Sequence, residues 1–256
     1  MTLLASLLGA AGLVMLCACM EQGHETAPDP GPDPSSLLRR SPERAAERER
    51  MVAEQIEARG IADPLVLAAL RAAPRHWFVP ERLADEAYED GPLPIGEGQT
   101  ISQPYIVARM TEAVQLRPGE RVLDVGTGSG YQAAVLAEIS PHVWSIEIVP
   151  ELAESAARRL AERGYTTVQV RQGDGWLGWP EHAPFDAIIL AAAPEQVPPA
   201  LLAQLAPGGR LCLPVGDRDG AQELLVIIKA PDGTLTERRL ESVRFVPMTG
   251  RAKGRR

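Results

Sequence analysis

The chain has 256 residues, which is enough for one large domain or for one domain with extensions. Acidic residues outnumber basic residues by 34 to 26, and the net charge of -8 argues against non-specific binding to nucleic acid. The three cysteines and four histidines have no zinc-ligand spacing, so we predict no metal site.

The first forty residues differ in character from the rest of the chain. Leu3 to Cys19 is apolar and has the length of a signal-peptide core, and residues 16–19 resemble a lipoprotein cleavage box, which would leave Cys19 lipidated. The positive charges that precede such a core are missing, so the alternative is a wrongly assigned start, with initiation at Met20 or Met51. Residues 21–34 have the composition of a Pro-rich linker, and we expect residues 1–40 to be disordered.

Residues 41–256 are predicted to form one domain with two parts. In the first part, residues 41–104, apolar residues at helical spacing predict a helix over 44–59, and Asp63-Pro64 is typical of the start of a second helix over 65–72. Residues 91–104 then predict a loop rich in Gly, Pro and polar residues, a kind of segment that often contacts substrate. The second part, residues 105–256, is predicted to contain the cofactor-binding sheet.

From residue 105 onward the sequence alternates between helices and short apolar strands. The predicted helices cover residues 105–115, 131–139, 151–163 and 199–205. The predicted strands cover residues 121–125, 142–148, 167–172, 185–191, 210–214, 223–229 and 235–246. This order predicts an α/β fold with a doubly wound, mostly parallel sheet, helices on both faces and a C-terminal antiparallel strand pair.

A glycine-rich turn follows the first strand of that sheet. Ligands of doubly wound sheets bind beyond the carboxyl ends of the strands, where glycines let the main chain approach them closely. The turn alone does not distinguish a methyl donor from a nicotinamide dinucleotide, because both classes of enzyme use one. The predicted cofactor contacts in the turn are Gly126, Thr127, Gly128, Ser129 and Gly130.

Three acidic residues at the ends of successive strands narrow the choice of cofactor. Glu147 is placed to accept hydrogen bonds from both ribose hydroxyls, and Asp174, next to Gly175, can accept one from an adenine amine. Asp124 can bind an ammonium group, which S-adenosylmethionine has and a nicotinamide dinucleotide lacks. A single acid of this kind is more often a solvated loop carboxylate, but the three together favour S-adenosylmethionine and a Rossmann-like methyltransferase fold.

Short segments spread along the chain carry a resemblance to one family. They are RGI at 59–61, PRHWFVP at 74–80, AY at 87–88, PLPIG at 92–96, QTISQPY at 99–105, GTGSGYQA at 126–133, GDG at 173–175, APFD at 183–186 and RFVP at 244–247. On these segments the chain resembles the protein-L-isoaspartate O-methyltransferase family over residues 51–249. The resemblance implies that residues 96–99, with Gly98 and Gln99 as the predicted contacts, lie against the donor, that Thr249 closes over it, and that Ser102 is the active-site residue.

The resemblance also implies the reaction, which transfers a methyl group to the free α-carboxylate of L-isoaspartyl residues in damaged proteins and so starts repair through a succinimide. A carboxylate is already deprotonated at neutral pH, so the reaction requires no general base. We therefore expect Ser102 to position the carboxylate or the donor, and not to act as a nucleophile. The alternative role for Ser102 or for Thr100 is a cap on the helix that follows.

Two alternative functions remain open at this level. One is methylation of small molecules or of other protein carboxyl groups on the same fold, and the other is a non-catalytic scaffold that keeps the cofactor fold. We expect a cytoplasmic location, because the donor is made in the cytosol. For the oligomeric state, a monomer is the default expectation. Membrane attachment is expected only if the segment ending at Cys19 is a real lipoprotein signal.

Overall fold

The computed structural model describes residues 42–217 and 220–253. The predicted apolar segment and Pro-rich linker, residues 1–40, lie outside these described residues, as does Cys19. Their signal, anchor and linker roles therefore stay predictions.

The helical elements lie mostly where the apolar spacing predicts them, although several are shorter. The first predicted helix is continuous, but its hydrogen bonding changes along its length, from an α-helix through a π-helix to a 3₁₀ turn. The α-helices are α1 (Ala45–Arg50), α2 (Pro64–Ala72), α3 (Pro104–Ala113), α4 (Tyr131–Ala137), α5 (Pro150–Glu162) and α6 (Pro199–Ala203). The other helical segments are the π-helix Met51–Ile56 and the 3₁₀ helices Glu57–Arg59, Arg75–Phe78, Glu81–Glu86, Gly175–Leu177, Pro180–His182 and Gly250–Lys253.

The strands form a small hairpin and one large sheet. The hairpin consists of β1 (Leu93–Gly96) and β2 (Gln99–Ile101). The strands of the large sheet are β3 (Val122–Val125), β4 (Val143–Glu147), β5 (Gln169–Gln172), β6 (Phe185–Leu190), β7 (Leu205–Gly216), β8 (Gln222–Lys229) and β9 (Leu235–Val243). Their order is β5-β4-β3-β6-β7-β8-β9, with β8 and β9 antiparallel to their neighbours and all other pairs parallel. The predicted doubly wound sheet with its C-terminal antiparallel pair is confirmed.

The core lies on both faces of this sheet, because successive side chains of a strand point to opposite sides. Val122 and Ile189 pack in a cluster with residues of the π-helix Met51–Ile56 and of helices α2 to α5, whereas Leu123 and Ile188 pack in a second cluster with Leu201 of α6. Every residue of β3 is buried. The central strand is therefore covered on both sides, and only its ends can reach a ligand.

The prediction of a loop over residues 91–104 was wrong in part, because a β-hairpin occupies most of that segment. Its turn residues Glu97 and Gly98 both have positive φ, 51° and 67°, which matches the twist of a two-residue hairpin turn. Glutamate rarely adopts this conformation, so the sequence carries no typical turn signal here. The hairpin brings residues 99–102 towards the large sheet.

A buried arginine holds the chain that leads into the hairpin. Arg75 is fully buried, and its Nε donates to the carbonyl of Ala87 at 2.8 Å while Nη2 donates to that of Gly91 at 3.4 Å. Its guanidinium also lies 5.1 Å from the centre of the Tyr131 ring, and burial lowers the pKa of Arg75 to about 10. The hairpin is thus attached to the core just before its first strand.

Candidate active site

A cleft opens at the carboxyl ends of β3, β4 and β6, where the order of the parallel strands reverses. This position is the usual ligand site of a doubly wound sheet. The floor consists of the strand ends and the turns after them, residues 125–129, 146–149 and 190–192. Residues 99–102 of the hairpin and residues 246–249 near the C-terminus form the walls.

The glycine turn after β3 brings main chain to the surface of the cleft. Residues 126–129, four of the five predicted cofactor contacts in this turn, line it. Gly128 has a φ of 53°, and a Cβ at this position would lie 3.3 Å from Cδ1 of Ile95 in the hairpin. A side chain here would strain the turn and push the hairpin away. Gly130 is different, because it does not line the cleft and instead precedes α4 and packs against Leu160.

Glu147 ties the turn after β3 to the turn after β4. Its carboxylate accepts a hydrogen bond from the amide of Gly128 at 2.8 Å and one from the amide of Val149 at 3.0 Å. The side chain lines the cleft although the residue is only 5% exposed. A carboxylate oxygen can accept more than one hydrogen bond, so Glu147 keeps acceptor capacity towards the cleft.

Asp124 does not line the cleft, which differs from its predicted direct contact with the cofactor. The residue is 0% exposed, and its Oδ2 accepts a hydrogen bond from the hydroxyl of Ser145 at 2.8 Å. The Ser145 hydroxyl is in turn 2.6 Å from that of Thr127, which does line the cleft. Oδ1 of Asp124 has no hydrogen-bond partner within the described part of the chain. Burial raises the pKa of Asp124 to about 7; the Ser145 hydrogen bond opposes the rise, and the charge of Glu147 adds to it.

Asp174 also lies outside the lining of the cleft, although its neighbour Gly175 is part of it. One carboxylate oxygen accepts from the amide of Trp176 at 3.0 Å, and the other accepts from the amide of Arg251 at 2.9 Å. The predicted acceptor for an adenine amine thus holds the 3₁₀ helix after β5 and the segment near the C-terminus. The tightly packed position next to it is Gly175, where a Cβ would lie 2.3 Å from Cγ1 of Val125.

The hairpin contributes two of its three predicted site residues. Gln99 and Ser102 line the cleft, whereas Gly98 lies in the hairpin turn outside it. The predicted capping role of Ser102 or Thr100 is wrong, because the residue before helix α3 is Gln103 and no side chain caps that helix. The Ser102 hydroxyl makes no hydrogen bond to any side chain or main-chain group between residues 42 and 217 or 220 and 253.

The segment near the C-terminus forms one wall of the cleft through a main-chain bridge. The amide of Ala193 donates to the carbonyl of Val246 at 2.9 Å, and the amide of Met248 donates to the carbonyl of Ala193 at 2.8 Å. Ala193 and Pro247 consequently pair like parallel strands. Thr249 follows directly and lines the cleft, where the family resemblance places it.

A second groove adjoins the cleft on the side of the hairpin. The two share Thr100, Ser102, Ala191 and Val246 in their linings. The remaining wall of the groove contains both apolar and charged side chains, among them Arg59, Ile106, Glu241, Arg244 and Phe245. Ser102 therefore lies where the two cavities meet.

Several lining residues were not among the predicted contacts. They include the apolar side chains of Val107, Met110, Ile146, Ile148, Leu190 and Met248. The signal that could have identified some of them is adjacency to Glu147, because residues on either side of a strand end reach the same edge of the sheet. Val107 and Met110 belong to helix α3, and nothing in their helical spacing distinguishes them from core residues.

The described residues contain neither a membrane-spanning helix nor a group of metal-binding side chains. No helix within them combines the length and the apolar character needed to cross a bilayer. Their His, Cys, Asp and Glu side chains form no group of three or more that could hold a metal ion.

Comparison with known proteins gives one consistent result. The family described as "Protein-L-isoaspartate(D-aspartate) O-methyltransferase (PCMT)" matches residues 46–253. A protein-L-isoaspartate O-methyltransferase 1 of Rhodopseudomonas palustris is 57% identical over 206 residues, which cover 80% of this chain and 84% of the relative. A protein-L-isoaspartate O-methyltransferase of Gloeobacter violaceus is 55% identical over 199 residues, 78% of this chain and 97% of that relative.

Solved structures agree with the sequence relatives. A protein-L-isoaspartate O-methyltransferase superposes with a TM-score of 0.72 at 30% identity and covers 79% of this chain and 66% of its own. A putative enzyme of the same kind from Plasmodium falciparum, in complex with S-adenosyl-L-homocysteine, has a TM-score of 0.66 at 25% identity, with 80% and 97% of the two chains covered.

The burial of Asp124 predicts a specific dependence of stability on pH. Its folded pKa of about 7 lies above the ordinary value of 3.8, so its contribution to stability is fully present below pH about 4. As the pH rises towards 7, the unfolded chain releases this proton and the folded chain keeps it, so stability is lost. At about 1.4 kcal/mol for each pH unit between the two values, the loss amounts to about 4 kcal/mol.

The measurement is urea unfolding of the wild type and of Asp124→Asn between pH 4 and pH about 8. The contributions of other titrating groups to the free energy of unfolding cancel in the difference between the two proteins. We expect the wild type to lose stability relative to the variant as the pH rises, and parallel curves would contradict the buried, raised-pKa carboxyl group.

Proposed function

This chain belongs to the protein-L-isoaspartate(D-aspartate) O-methyltransferase family, and we propose that it methylates the free α-carboxylate of L-isoaspartyl residues in damaged proteins with S-adenosylmethionine as donor. The observation that carries the proposal is the junction at Ser102, where the cleft and the groove share a wall. A two-substrate transfer requires such a junction, because donor and acceptor must meet from separate sites.

The residues of the cleft fit S-adenosylmethionine. Glu147 presents a buried carboxylate with spare acceptor capacity, which suits the two ribose hydroxyls. Apolar side chains such as Ile146 and Met248 offer surfaces for the adenine ring. Oδ1 of Asp124 has no partner among the described residues, and above pH about 7, where this carboxyl group is ionised, its negative charge favours the ammonium group of the donor. It acts from beneath the surface, with Ser145 and Thr127 between it and the cleft.

The chemistry places small demands on the side chains. Bound S-adenosylmethionine supplies an electrophilic methyl group on a cationic sulfur. The acceptor carboxylate is ionised at neutral pH, so no residue of this chain has to remove a proton. What the chain supplies is alignment of the two groups and exclusion of water from the carboxylate.

Ser102 is the residue placed to provide that alignment. Its hydroxyl has no partner among the side chains and main-chain groups that the structure describes, so it is free to donate to a carboxylate oxygen. It lines both cavities, and the hairpin strand before it is paired with β1. In this proposal Ser102 holds the acceptor and takes no part in covalent chemistry. The methyl ester then closes to a succinimide without help from the enzyme, and hydrolysis of the ring returns some normal aspartate.

The substrate assignment is tested with an isoaspartyl peptide beside its normal aspartyl twin, each incubated with donor labelled in the methyl group. The reacting carboxylate of the twin is displaced by one methylene, and a displacement of about 1 Å can cost about a hundredfold in rate. We expect label to enter the isoaspartyl peptide about a hundredfold faster. Equal labelling of both peptides would favour a broader carboxyl methyltransferase, and no labelling of either would favour a non-catalytic scaffold.

The role of Glu147 is tested by Glu147→Gln. An amide can accept at only one of the two positions where the carboxylate now accepts from Gly128 and Val149, and it loses the charge as well. Because a hydrogen bond to a charged group contributes about 1.5–3 kcal/mol, we expect the affinity for S-adenosylhomocysteine to fall about ten- to a hundredfold. Isothermal titration calorimetry measures it, with Glu151→Gln on the exposed start of α5 as the matched control. Equal affinities in the two variants would remove Glu147 from the donor site.

The positioning role of Ser102 is tested by Ser102→Ala in the same peptide assay. Loss of one hydrogen bond to a carboxylate is expected to lower kcat/KM about ten- to a hundredfold while the affinity for S-adenosylhomocysteine changes little. Ser155→Ala on helix α5 removes a hydroxyl away from both cavities and serves as the control. Full turnover of Ser102→Ala would show that the hydroxyl holds nothing required for the reaction.

A further inference from the structure

The groove beside the cleft is unusual in this acidic chain because its charged lining is mainly basic. Three charged side chains line it, the cations Arg59 and Arg244 and the anion Glu241. The chain as a whole has a net charge of -8. A cationic groove on a protein of opposite net charge indicates a site for a local negative charge.

Two of the three charges already have partners within the fold. Glu241 pairs with Arg109, whose Nε lies 3.1 Å from its carboxylate. Arg59 lies with its guanidinium 3.5 Å from the centre of the Tyr105 ring, and its Nη1 is 3.3 Å from a carboxylate oxygen of Asp90. These interactions fix both side chains in place and offset their charges.

Arg244 is the charge that remains. It follows β9 and comes just before the segment 246–249 that lines the cleft, so it lies on the chain that joins groove and cleft. Its side chain is exposed and has no hydrogen bond or ion pair with the residues of the described ranges. Guanidinium groups bind carboxylates in a two-pronged geometry, which makes an acidic side chain the natural partner.

We propose that Arg244 binds an acidic side chain of the substrate next to the isoaspartyl residue, and that the enzyme therefore prefers damage sites with acidic neighbours. This inference rests on the proposed function, since it assigns the groove to the peptide that carries the reacting carboxylate. The pair would form in solvent, so its effect is modest and falls with salt. An exposed ion pair corresponds to about a three- to fivefold preference in kcat/KM at low ionic strength.

The experiment uses three isoaspartyl peptides that differ only at the residue after the isoaspartate, which is Glu, Gln or Lys. Each is assayed with the wild type, with Arg244→Gln and with Arg244→Glu, and the quantity compared is the ratio of kcat/KM between peptides. Arg239→Gln is the matched control, because Arg239 lies on β9 and is exposed but pairs with Glu223 outside the groove. In a second series of peptides, Glu, Gln or Lys stands at the residue before the isoaspartate. The two series together test for a preferred acidic neighbour on either side.

The expected result is a wild-type preference for Glu over Gln of about three- to fivefold in at least one series, expressed mainly in KM and reduced at high salt. Arg244→Gln should abolish it, Arg244→Glu should shift it towards the Lys peptide, and Arg239→Gln should retain it. Equal ratios in the wild type, or a preference that survives Arg244→Gln, would overturn the inference. The proposed function is tested separately by the isoaspartyl peptide with the Gln neighbour and by its aspartyl twin. Faster methylation of the isoaspartyl peptide would support that function whether or not a charged neighbour matters.

Discussion

The carboxylate of Glu147 is the interaction on which the rest of the site depends. It lies at the carboxyl end of β4, next to the strand at which the order of the parallel strands reverses, and it binds the main chain of two separate turns at once. Through the amide of Gly128 it fixes the glycine turn, and through that of Val149 it fixes the start of α5. Two backbone donors offset the cost of burying its charge, and the same donors aim the remaining acceptor capacity into the cleft. The geometry of the donor site thus follows from one side chain bonded to two strand ends.

A second buried acid makes the same region less stable than a simple core would be. Asp124 lies within the central strand with one oxygen unpaired, near a second carboxylate of the same charge. Replacing it with an apolar residue would remove a penalty that the fold itself does not require. Such penalties are typical of functional sites, where a group is arranged for a ligand and not for the folded state alone. The hydroxyls of Ser145 and Thr127 connect this acid to the cleft surface without exposing it to water.

Much of this arrangement could be predicted from the sequence, because apolar strands alternating with helices leave few topologies and place the strand ends together. The glycine turn, Glu147 and Ser102 follow from that reasoning and from the family resemblance. The burial of Asp124 and the hydrogen bonds of Asp174 cannot be predicted in the same way. Both depend on how the rest of the chain packs around these side chains. Asp174 is bonded to the amide of Arg251, which lies 77 residues further along the chain. The sequence does not predict the hairpin, because its turn uses Glu97 at positive φ. It does not predict the groove either, because Arg59 and Arg244 are far apart in the sequence and line the same groove only in the folded chain.

The wall formed by residues 246–249 has a consequence for how the protein is made. Ala193 pairs with this segment, and Asp174 binds the amide of Arg251, so the cleft is complete only when both contacts exist. On the ribosome the parallel strands emerge first and can begin to fold, because domains form progressively during synthesis. The donor cleft, however, lacks one side until residue 251 has left the exit tunnel. A nascent chain that ends before residue 246 therefore lacks this wall of the cleft, although all strands of the large sheet have already been synthesised.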